Sequence, residues 1–193
     1  SAKTSPVKLP PIEEYNDFIL TLNPYIKSDF ALIVQDDGHI VNPNKWNKIF
    51  LDYDYIGAPW PNNYSWKARF KKKYNKSISD EIVKNINYNQ VGNGGFSLRS
   101  KKFLEYSQTF SNCESISEDI FLCIYNYEKS QNHKIKFPNF NLAEEFSYEM
   151  SMKKIFKYRE TKNEIFNINE HFGWHGKRFK NYKSLLNLKN LID

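Results

Sequence analysis

Two carboxylates stand side by side at the end of an apolar run, in the segment Gln35-Asp36-Asp37-Gly38. Asp36 and Asp37 offer the hard oxygen ligands that Mg²⁺ and Mn²⁺ prefer, and these cations also bind phosphate oxygens. The same Asp-Asp-Gly sequence is common in ordinary turns, because Asp and Gly both favour turn conformations. The segment is therefore a candidate metal site, with a plain turn as the alternative.

A second acidic pair, Glu118-Asp119, lies in the first turn of a predicted helix. Carboxylates are favoured there by the helix dipole, and Ser115 with Glu118 matches the capping-box pattern. Asp119 has no such local reason, so it is a candidate general base that takes a proton from a hydroxyl. Glu118 is either a cap or a second catalytic carboxylate.

His175 follows Gly173-Trp174 and precedes Gly176. Its imidazole is a candidate ligand for the same metal, although a lone histidine is more often a hydrogen-bonded surface residue. His171 is the competing candidate. The only cysteines, Cys113 and Cys123, form no CxxC pattern and no Cys/His cluster, which argues against a zinc site and a disulfide framework.

The segment Gly92-Asn93-Gly94-Gly95 predicts a tight turn at which the backbone approaches another group closely. No Gly-Lys-Ser/Thr follows it, and it precedes a strand, so it is not a P-loop. Its glycines suit a wall whose backbone amides contact a sugar.

Short strands and helices alternate around these residues, which predicts a single α/β domain over residues 1–193. Phe30 to Val34 is an apolar run typical of a buried strand, and Phe96 to Arg99 alternates like a half-exposed strand. In open α/β sheets ligands bind beyond the carboxyl ends of strands, where Gln35 to Gly38 would lie. A further strand is predicted near 54–57, an extended lead-in over 1–11, and helices near 12–23, 45–51, 100–110, from 117 onward, 143–152 and 182–191.

The chain carries a formal net charge of +6, which suits nucleic acid, an anionic membrane surface or a diphosphate-bearing substrate. The densest basic stretch spans 67–76 and predicts a solvated loop, with a dedicated binding patch as the alternative. No apolar run approaches the ~18 residues that a membrane span requires, and no signal-peptide core is present. No transmembrane segment and a cytoplasmic location are therefore expected.

Five blocks occur in order between residues 30 and 176: LIVQDDGHIVNP, FLDYDYIGAPWP, VGNGGFSLRS, SEDIFLC and FGWHG. Together they resemble a bacterial and viral family of glycosyltransferase-like domains of unknown function within the GT-A superfamily. The resemblance implies a GT-A-like mixed, mostly parallel sheet flanked by helices. Because Gln35-Asp36-Asp37 stands so early in the chain, the βαβ segment that begins such folds would be shortened or missing.

The same resemblance implies roles for the candidate residues. Asp37, more than Asp36, would hold a divalent cation, Mn²⁺ or Mg²⁺, and His175 would complete the metal shell. Gln35 occupies the first acidic position of the superfamily's Asp-x-Asp turn. Asp119, with Glu118 beside it, would supply the catalytic base. The residues implied for donor or acceptor binding are Gln35, Asn93, Gly94, Gly95, Arg99 and Trp60, with Arg99 facing phosphate or stabilising the wall and Trp60 stacking on a ligand.

The resemblance further implies a hexosyltransferase that moves a sugar from a nucleotide sugar, with a UDP-sugar as the leading donor, to a saccharide or another hydroxyl acceptor. A direct displacement inverts the anomeric centre, and a retaining outcome stays open. Two alternatives remain. One is a non-catalytic sugar- or nucleotide-binding module of the same fold, and the other is a nucleic-acid-associated protein whose acceptor is itself a nucleic acid.

Overall fold

Two three-stranded sheets lie at the centre of the fold. The structure is a computed structural model, and it describes residues 12–60, 66–149 and 170–176. The predicted lead-in over 1–11 and the predicted helix over 182–191 lie outside these ranges. The described strands are β1 (Phe30–Val34), β2 (Gly38–Ile40), β3 (Tyr55–Gly57), β4 (Phe96–Ser100), β5 (Ser147–Glu149) and β6 (Gly173–His175).

The first sheet has the order β1-β4-β3, and both of its pairings are antiparallel. All residues of β4 are buried because it lies between two strands, so the prediction of a half-exposed strand is wrong. The prediction that β1 is fully buried is also wrong, since Leu32 and Val34 are 37% and 47% exposed. Among the described strands β1 lies at a sheet edge, with only Ala31 and Ile33 packed on the helical layer.

The second sheet has the order β2-β6-β5, with β6 antiparallel to β2 and parallel to β5. The mixed α/β class is thus confirmed, but among the described pairings only β5 and β6 are parallel. The predicted mostly parallel sheet is wrong for this part of the chain. The apolar pattern of a strand reports which face is buried, and it carries no information about the direction of the neighbouring strand.

The described α-helices surround these sheets: α1 (Ile12–Leu20), α2 (Trp66–Tyr74), α3 (Asp80–Tyr88), α4 (Lys101–Ser107), α5 (Glu118–Ile120), α6 (Tyr127–Asn132) and α7 (Phe140–Phe146). A π-helix, Phe121–Tyr125, joins α5 to α6, and short 3₁₀ helices cover Asn23–Tyr25, Pro43–Lys45 and Lys48–Asp52. The predicted helix near 45–51 is therefore a pair of 3₁₀ turns. The helix predicted over 143–152 begins earlier, at Phe140, and gives way to β5 at Ser147.

The basic stretch over 67–76 is mostly the helix α2, so the prediction of a loop is wrong. Trp66 and Phe70, one turn apart, are both buried in the largest hydrophobic cluster. Burial of two large aromatic side chains stabilises the fold by several kcal/mol, at about 1.5–3 kcal/mol each. Core packing therefore holds the basic residues of α2 on a defined helical surface.

The start of α5 is held by a residue distant in sequence. The backbone N–H of Glu118 donates to Oδ1 of Asn16 at 3.1 Å, and Nδ2 of Asn16 donates to the carbonyl of Ile116 at 2.9 Å. The predicted capping box does not form, because Ser117 is the N-cap residue, with no side-chain cap bond, and the carboxylate of Glu118 is bound elsewhere.

The two faces of strand β4 meet different hydrophobic clusters. Phe96 and Leu98 pack with Phe50, Phe146 and Phe172 in one hydrophobic cluster. Ser97 and Arg99 alternate with them, as successive strand residues must, and point to the opposite face. Arg99 lies over the ring of Tyr55, 5.2 Å from its centroid. This alternation directs the guanidinium toward α5.

Candidate functional site

A cavity of about 710 Å³ opens where β1 ends and α5 begins. Its walls come from α1, the turn after β1, Trp60, α2, the glycine-rich segment before β4, the start of α5, β5 and β6. The cavity brings together most of the residues singled out in the sequence. Its lining residues include Tyr15, Asn16, Gln35, Asp36, Trp60, Arg69, Lys73, Asn93, Gly94, Gly95, Ser117, Glu118, Asp119, Glu149 and His175.

The imidazole of His175 is the most connected group at this cavity. Its Nε2 atom lies 3.0 Å from Oδ1 of Asp37 and 3.2 Å from Oε1 of Gln35. Its Nδ1 atom lies 3.2 Å from Oε2 of Glu149. Both ring nitrogens therefore face oxygen atoms, two of them carboxylate oxygens.

Burial lowers the pKa of His175, but the hydrogen bond and charge of Glu149 and the charge of Asp37 outweigh it and raise the pKa to about 8. When Nδ1 carries a proton for Glu149, the Nε2 lone pair faces two acceptor oxygens. A proton or a cation at Nε2 removes this conflict, because lone pairs in contact repel one another. With a pKa of about 8 the ring is mostly imidazolium at neutral pH, so a metal ion at Nε2 would have to displace that proton.

The backbone fixes this arrangement through both sheets. Gly38 pairs with His175 between β2 and β6, and Glu149 pairs with His175 between β5 and β6. The N–H of Gln35 donates to the carbonyl of Gly95 at 2.8 Å, and the N–H of Gly176 donates to the carbonyl of Asp37 at 3.0 Å. A Cβ at Gly95 would collide with the imidazole ring of His175. Gly95 therefore allows the ring to lie directly on the backbone.

The donor set around Nε2 fits a hard divalent cation. It combines the imidazole nitrogen with a carboxylate oxygen of Asp37 at 3.0 Å and an amide oxygen of Gln35 at 3.2 Å from that nitrogen. A hydrogen-bonded carboxylate behind the imidazole, here Glu149, is the usual support of a metal-binding histidine. In the part of the chain that the structure describes, no group of three or more His, Cys, Asp and Glu side chains is placed to hold a metal. The third protein ligand would therefore be an amide.

Two other metal candidates lie apart from this set. Asp36 lines the cavity and is exposed, while Asp37 carries the contact to His175. His171 lines a different cavity of about 630 Å³, and its Nδ1 contacts the carbonyl of Glu144. The structure thus brings Asp37 and His175 together and places Asp36 and His171 apart from that contact, and the preference for the first two as metal ligands stays a prediction.

Gly94 and Gly95, here called the glycine strip, lie between Asp119 and His175, because Gly94 contacts Asp119 and Gly95 contacts His175. Asp119 is partly exposed and lines the cavity. Its Oδ2 accepts from the N–H of Gly94 at 3.1 Å, and its Oδ1 accepts from the N–H of Ile120 at 2.7 Å. Burial raises the pKa of Asp119 despite the opposing charge of Lys73 and the two N–H donors. Each carboxylate oxygen keeps a second lone pair, so Asp119 can still accept a proton from a bound hydroxyl.

Glu118 is occupied by a buried ion pair. Its two oxygens accept from Nη1 and Nη2 of Arg99 at 3.1 and 2.9 Å, and the two side chains are 3% and 0% exposed. Burial raises the pKa of Glu118 although the charge and hydrogen bonds of Arg99 lower it, but the guanidinium occupies both carboxylate oxygens and the side chain is buried away from a substrate. The predicted catalytic role of Glu118 is not supported by this geometry. Of the two predictions for Arg99, contact with phosphate does not fit full burial, whereas stabilising the wall does.

The remaining predicted binding residues form the cavity wall. Trp60 is only 2% exposed and meets Trp66 edge to face, with ring centroids 5.3 Å apart. At this exposure its ring has no open face on which a ligand could stack, so the predicted stacking role does not fit. Asn93 is buried, and its N–H donates to the carbonyl of Ala58 at 3.3 Å.

Three residues at this cavity were missed in the sequence. Glu149 lies in a segment predicted as helix, and no local pattern indicates the strand pairing that brings it to His175. Arg69 and Lys73 lie on α2, which did carry a signal: Trp66, Phe70 and Tyr74 recur at a helical spacing. That stripe identifies α2 as an anchored helix with its basic residues arranged around it.

Comparisons with known proteins identify the family of the chain, but they give no information about its function. A family model described as "Protein of unknown function (DUF5672)" matches residues 4–165. No curated protein and no solved structure matches the chain. Among the described residues, no helix is both long and apolar enough to cross a membrane.

Proposed function

Because the chain belongs to the DUF5672 family, whose function is not described, we propose a function from its site: metal-assisted transfer of a sugar from a nucleoside-diphosphate sugar to a hydroxyl acceptor. The observation that carries the proposal is that Asp37 and Gln35 both contact Nε2 of His175, while Gln35 and His175 line a cavity that Asp119 also lines. A cation site for a diphosphate and a separate carboxylate base are the two parts that such a transfer requires.

Asp37 and His175, with the amide oxygen of Gln35, would hold Mn²⁺ or Mg²⁺. When bound, the cation would neutralise the negative charge that develops on the departing diphosphate. Glu149 keeps the imidazole in the orientation that presents Nε2 to the cation, through the contact at Nδ1. Gly95 leaves space for the ring, and its amide lies on the wall between the cation site and Asp119.

Asp119 would act on the acceptor. As the acceptor oxygen forms its bond to the anomeric carbon, the bond between that carbon and the diphosphate oxygen breaks, and its electron pair goes to the diphosphate. The acceptor hydroxyl proton passes to a carboxylate oxygen of Asp119. The raised pKa of Asp119 favours this transfer, because it makes the carboxylate a stronger base. A single displacement of this kind inverts the anomeric centre.

A first experiment is a thermal-shift screen of nucleoside diphosphates and their sugars with Mn²⁺ or with a chelator. A ligand that binds only the folded protein raises its melting temperature. We expect a UDP-sugar to stabilise the protein in the presence of Mn²⁺ and to be hydrolysed slowly when no acceptor is added. If no nucleotide produces a metal-dependent shift, the proposal is wrong.

The non-catalytic alternative keeps the same binding site. Asp119 favours the enzyme over a binding module, because a module needs no partly exposed carboxylate with a raised pKa beside the cation site. Metal-dependent nucleotide binding without sugar transfer or hydrolysis under any condition would favour the module.

A further inference from the structure

Two cations of α2 face the cavity that the proposed function uses. Arg69 and Lys73 stand one helical turn apart and both line the cavity. Trp66 and Phe70 anchor the same helix in the core. The neighbouring Lys72 is exposed and is not part of the cavity wall. The helix therefore presents a specific pair of cations to the cavity and directs other lysines to solvent.

Lys73 lies on the side of the cavity that holds the base. Its Nζ donates to the Ser117 hydroxyl at 2.8 Å, two residues before Asp119. Burial raises the pKa of Asp119, and the charge of Lys73 is the largest influence that lowers it. The charges that act most strongly on His175 are instead those of Glu149 and Asp37. The charge of Lys73 therefore acts on the proposed base, and it is not among the main charges that act on His175.

Within the described residues, the charge of Lys73 has no carboxylate at ion-pair distance. Its partners there are the neutral Ser117 hydroxyl and the ring of Tyr74, 5.0 Å from Nζ. An anion brought beside Lys73 would replace a neutral partner with a charged one and gain a stronger hydrogen bond. The planar guanidinium of Arg69 carries N–H donors whose spacing allows them to bind two oxygens of one phosphate or carboxylate group.

We propose that Arg69 and Lys73 form an anion subsite that binds a phosphate or carboxylate carried by the acceptor, beside the hydroxyl that Asp119 deprotonates. This inference rests on the proposed function, because Asp119 identifies the acceptor side of the cavity. The donor's diphosphate has its own cation site at Asp37 and His175. The acceptor class is then a small anionic molecule, such as a phosphorylated polyol or a sugar acid, and not a neutral saccharide.

The experiment uses calorimetric titration of the protein saturated with UDP and Mn²⁺. The probes are inorganic phosphate, glucuronate and, as a neutral match, glucose. The variants are Arg69→Gln, Lys73→Met and their combination, with Lys72→Met as a control that removes one charge from the same helix. We expect phosphate or glucuronate to bind and glucose not to bind, and the relative strength of the two anions reports which group the acceptor carries.

The double variant should weaken anion binding about tenfold or more, as expected for the loss of charge-assisted hydrogen bonds. Lys72→Met should leave anion binding within about twofold of the original chain. UDP binding with Mn²⁺ should stay unchanged in all variants. The single variants, which lose less charge, separate a binding effect from a folding defect when their melting temperatures are compared.

Three results would overturn the anion subsite: no saturable anion binding, anion binding that survives the double variant, or a parallel loss of UDP binding. The last result would assign Arg69 and Lys73 to the donor. A different result would show that the proposed function, and not the anion subsite, is wrong. If UDP does not bind with Mn²⁺, but phosphate binds to the protein and requires Arg69 and Lys73, the anion subsite stands and the proposed donor site does not.

Discussion

Nε2 of His175 lies 3.0 Å from Oδ1 of Asp37. The two residues are far apart in sequence, and the pairing of β2 with β6 brings them together. The opposite ring nitrogen faces Glu149, so one imidazole connects the carboxylate of Glu149, which lines the cavity, to the carboxylate of Asp37 in the turn after β1. The cation site that we propose depends on this connection.

Without metal, His175 should make the stability of the protein depend on pH. Its folded-state pKa of about 8 lies above the ordinary value of 6.5. The stabilising effect is therefore fully present below pH 6.5 and is lost as the pH rises through 8. For a shift of this size we expect roughly 2 kcal/mol.

The measurement is urea unfolding of the original chain and of His175→Gln between pH 5.5 and 9.5, with a chelator present. The difference in unfolding free energy should be largest at the acidic end and should shrink toward alkaline pH. A difference that stays constant, or that grows with pH, would show that the ring is not held as an imidazolium.

Gly95→Ala should damage the cation site specifically. The new methyl would occupy the space of the His175 ring and force the imidazole away from Asp37. We expect the affinity for Mn²⁺ to fall about tenfold or more, because displaced metal ligands lose that much. Gly92→Ala is the control, because its methyl would collide with the ring of Trp60 and not with His175. Equal Mn²⁺ binding by both variants would contradict the assignment of Gly95.

We expect Arg99 and Glu118 to contribute mainly to the stability of the fold and much less to the proposed transfer reaction. Removing one partner of a buried ion pair leaves an unpaired buried charge and costs about 3–5 kcal/mol. Glu118→Ala and Arg99→Met should each destabilise the protein by that order, and the double variant should cost less than the sum of the two. Urea unfolding in a double-mutant cycle measures this coupling. If the losses of stability in the two single variants add up in the double variant, Arg99 and Glu118 do not stabilise the protein through their mutual interaction.

Asp119→Asn should abolish transfer while donor binding persists. The amide cannot take a proton from the acceptor, and loss of a general base lowers turnover by about 10²–10⁴-fold. UDP binding with Mn²⁺ should remain, because the cation site lies across the glycine strip. Parallel measurement of turnover and UDP affinity tests the assignment. Full turnover in this variant would require another base.

The sequence predicts the local parts of this site better than their assembly. The turn at Gln35 to Gly38 and the placement of Asp119 near a helix start depend on neighbouring residues, and the structure has both. At Gly92 to Gly95 the predicted close approach of the backbone to other groups is confirmed, but the predicted tight turn does not form. The contact between Glu149 and His175 depends on parallel pairing of β5 with β6, which no short-range pattern encodes. The exposure of β1 likewise depends on its position at the sheet edge, and strand hydrophobicity does not report sheet order.

The misread basic stretch has a different cause. Its charge suggested a solvated loop, although Trp66 and Phe70 carried a helical spacing that outweighs the polar residues between them. Similarly, Glu118 matched a capping box, but a bidentate bond to buried Arg99 is stronger than a cap. For the basic stretch the deciding signal was local, whereas for Glu118 the deciding partner, Arg99, lies outside any local window.

The most direct test of the proposed site is calorimetric titration of UDP in the presence and absence of Mn²⁺, for the original chain, Asp37→Asn and Asp36→Asn. Asp37→Asn removes the carboxylate that contacts His175, whereas Asp36→Asn removes an equal charge from the neighbouring exposed residue. We predict Mn²⁺-dependent UDP binding that Asp37→Asn weakens about tenfold or more and that Asp36→Asn largely retains. UDP binding that ignores Mn²⁺, or that survives Asp37→Asn unchanged, would contradict the account.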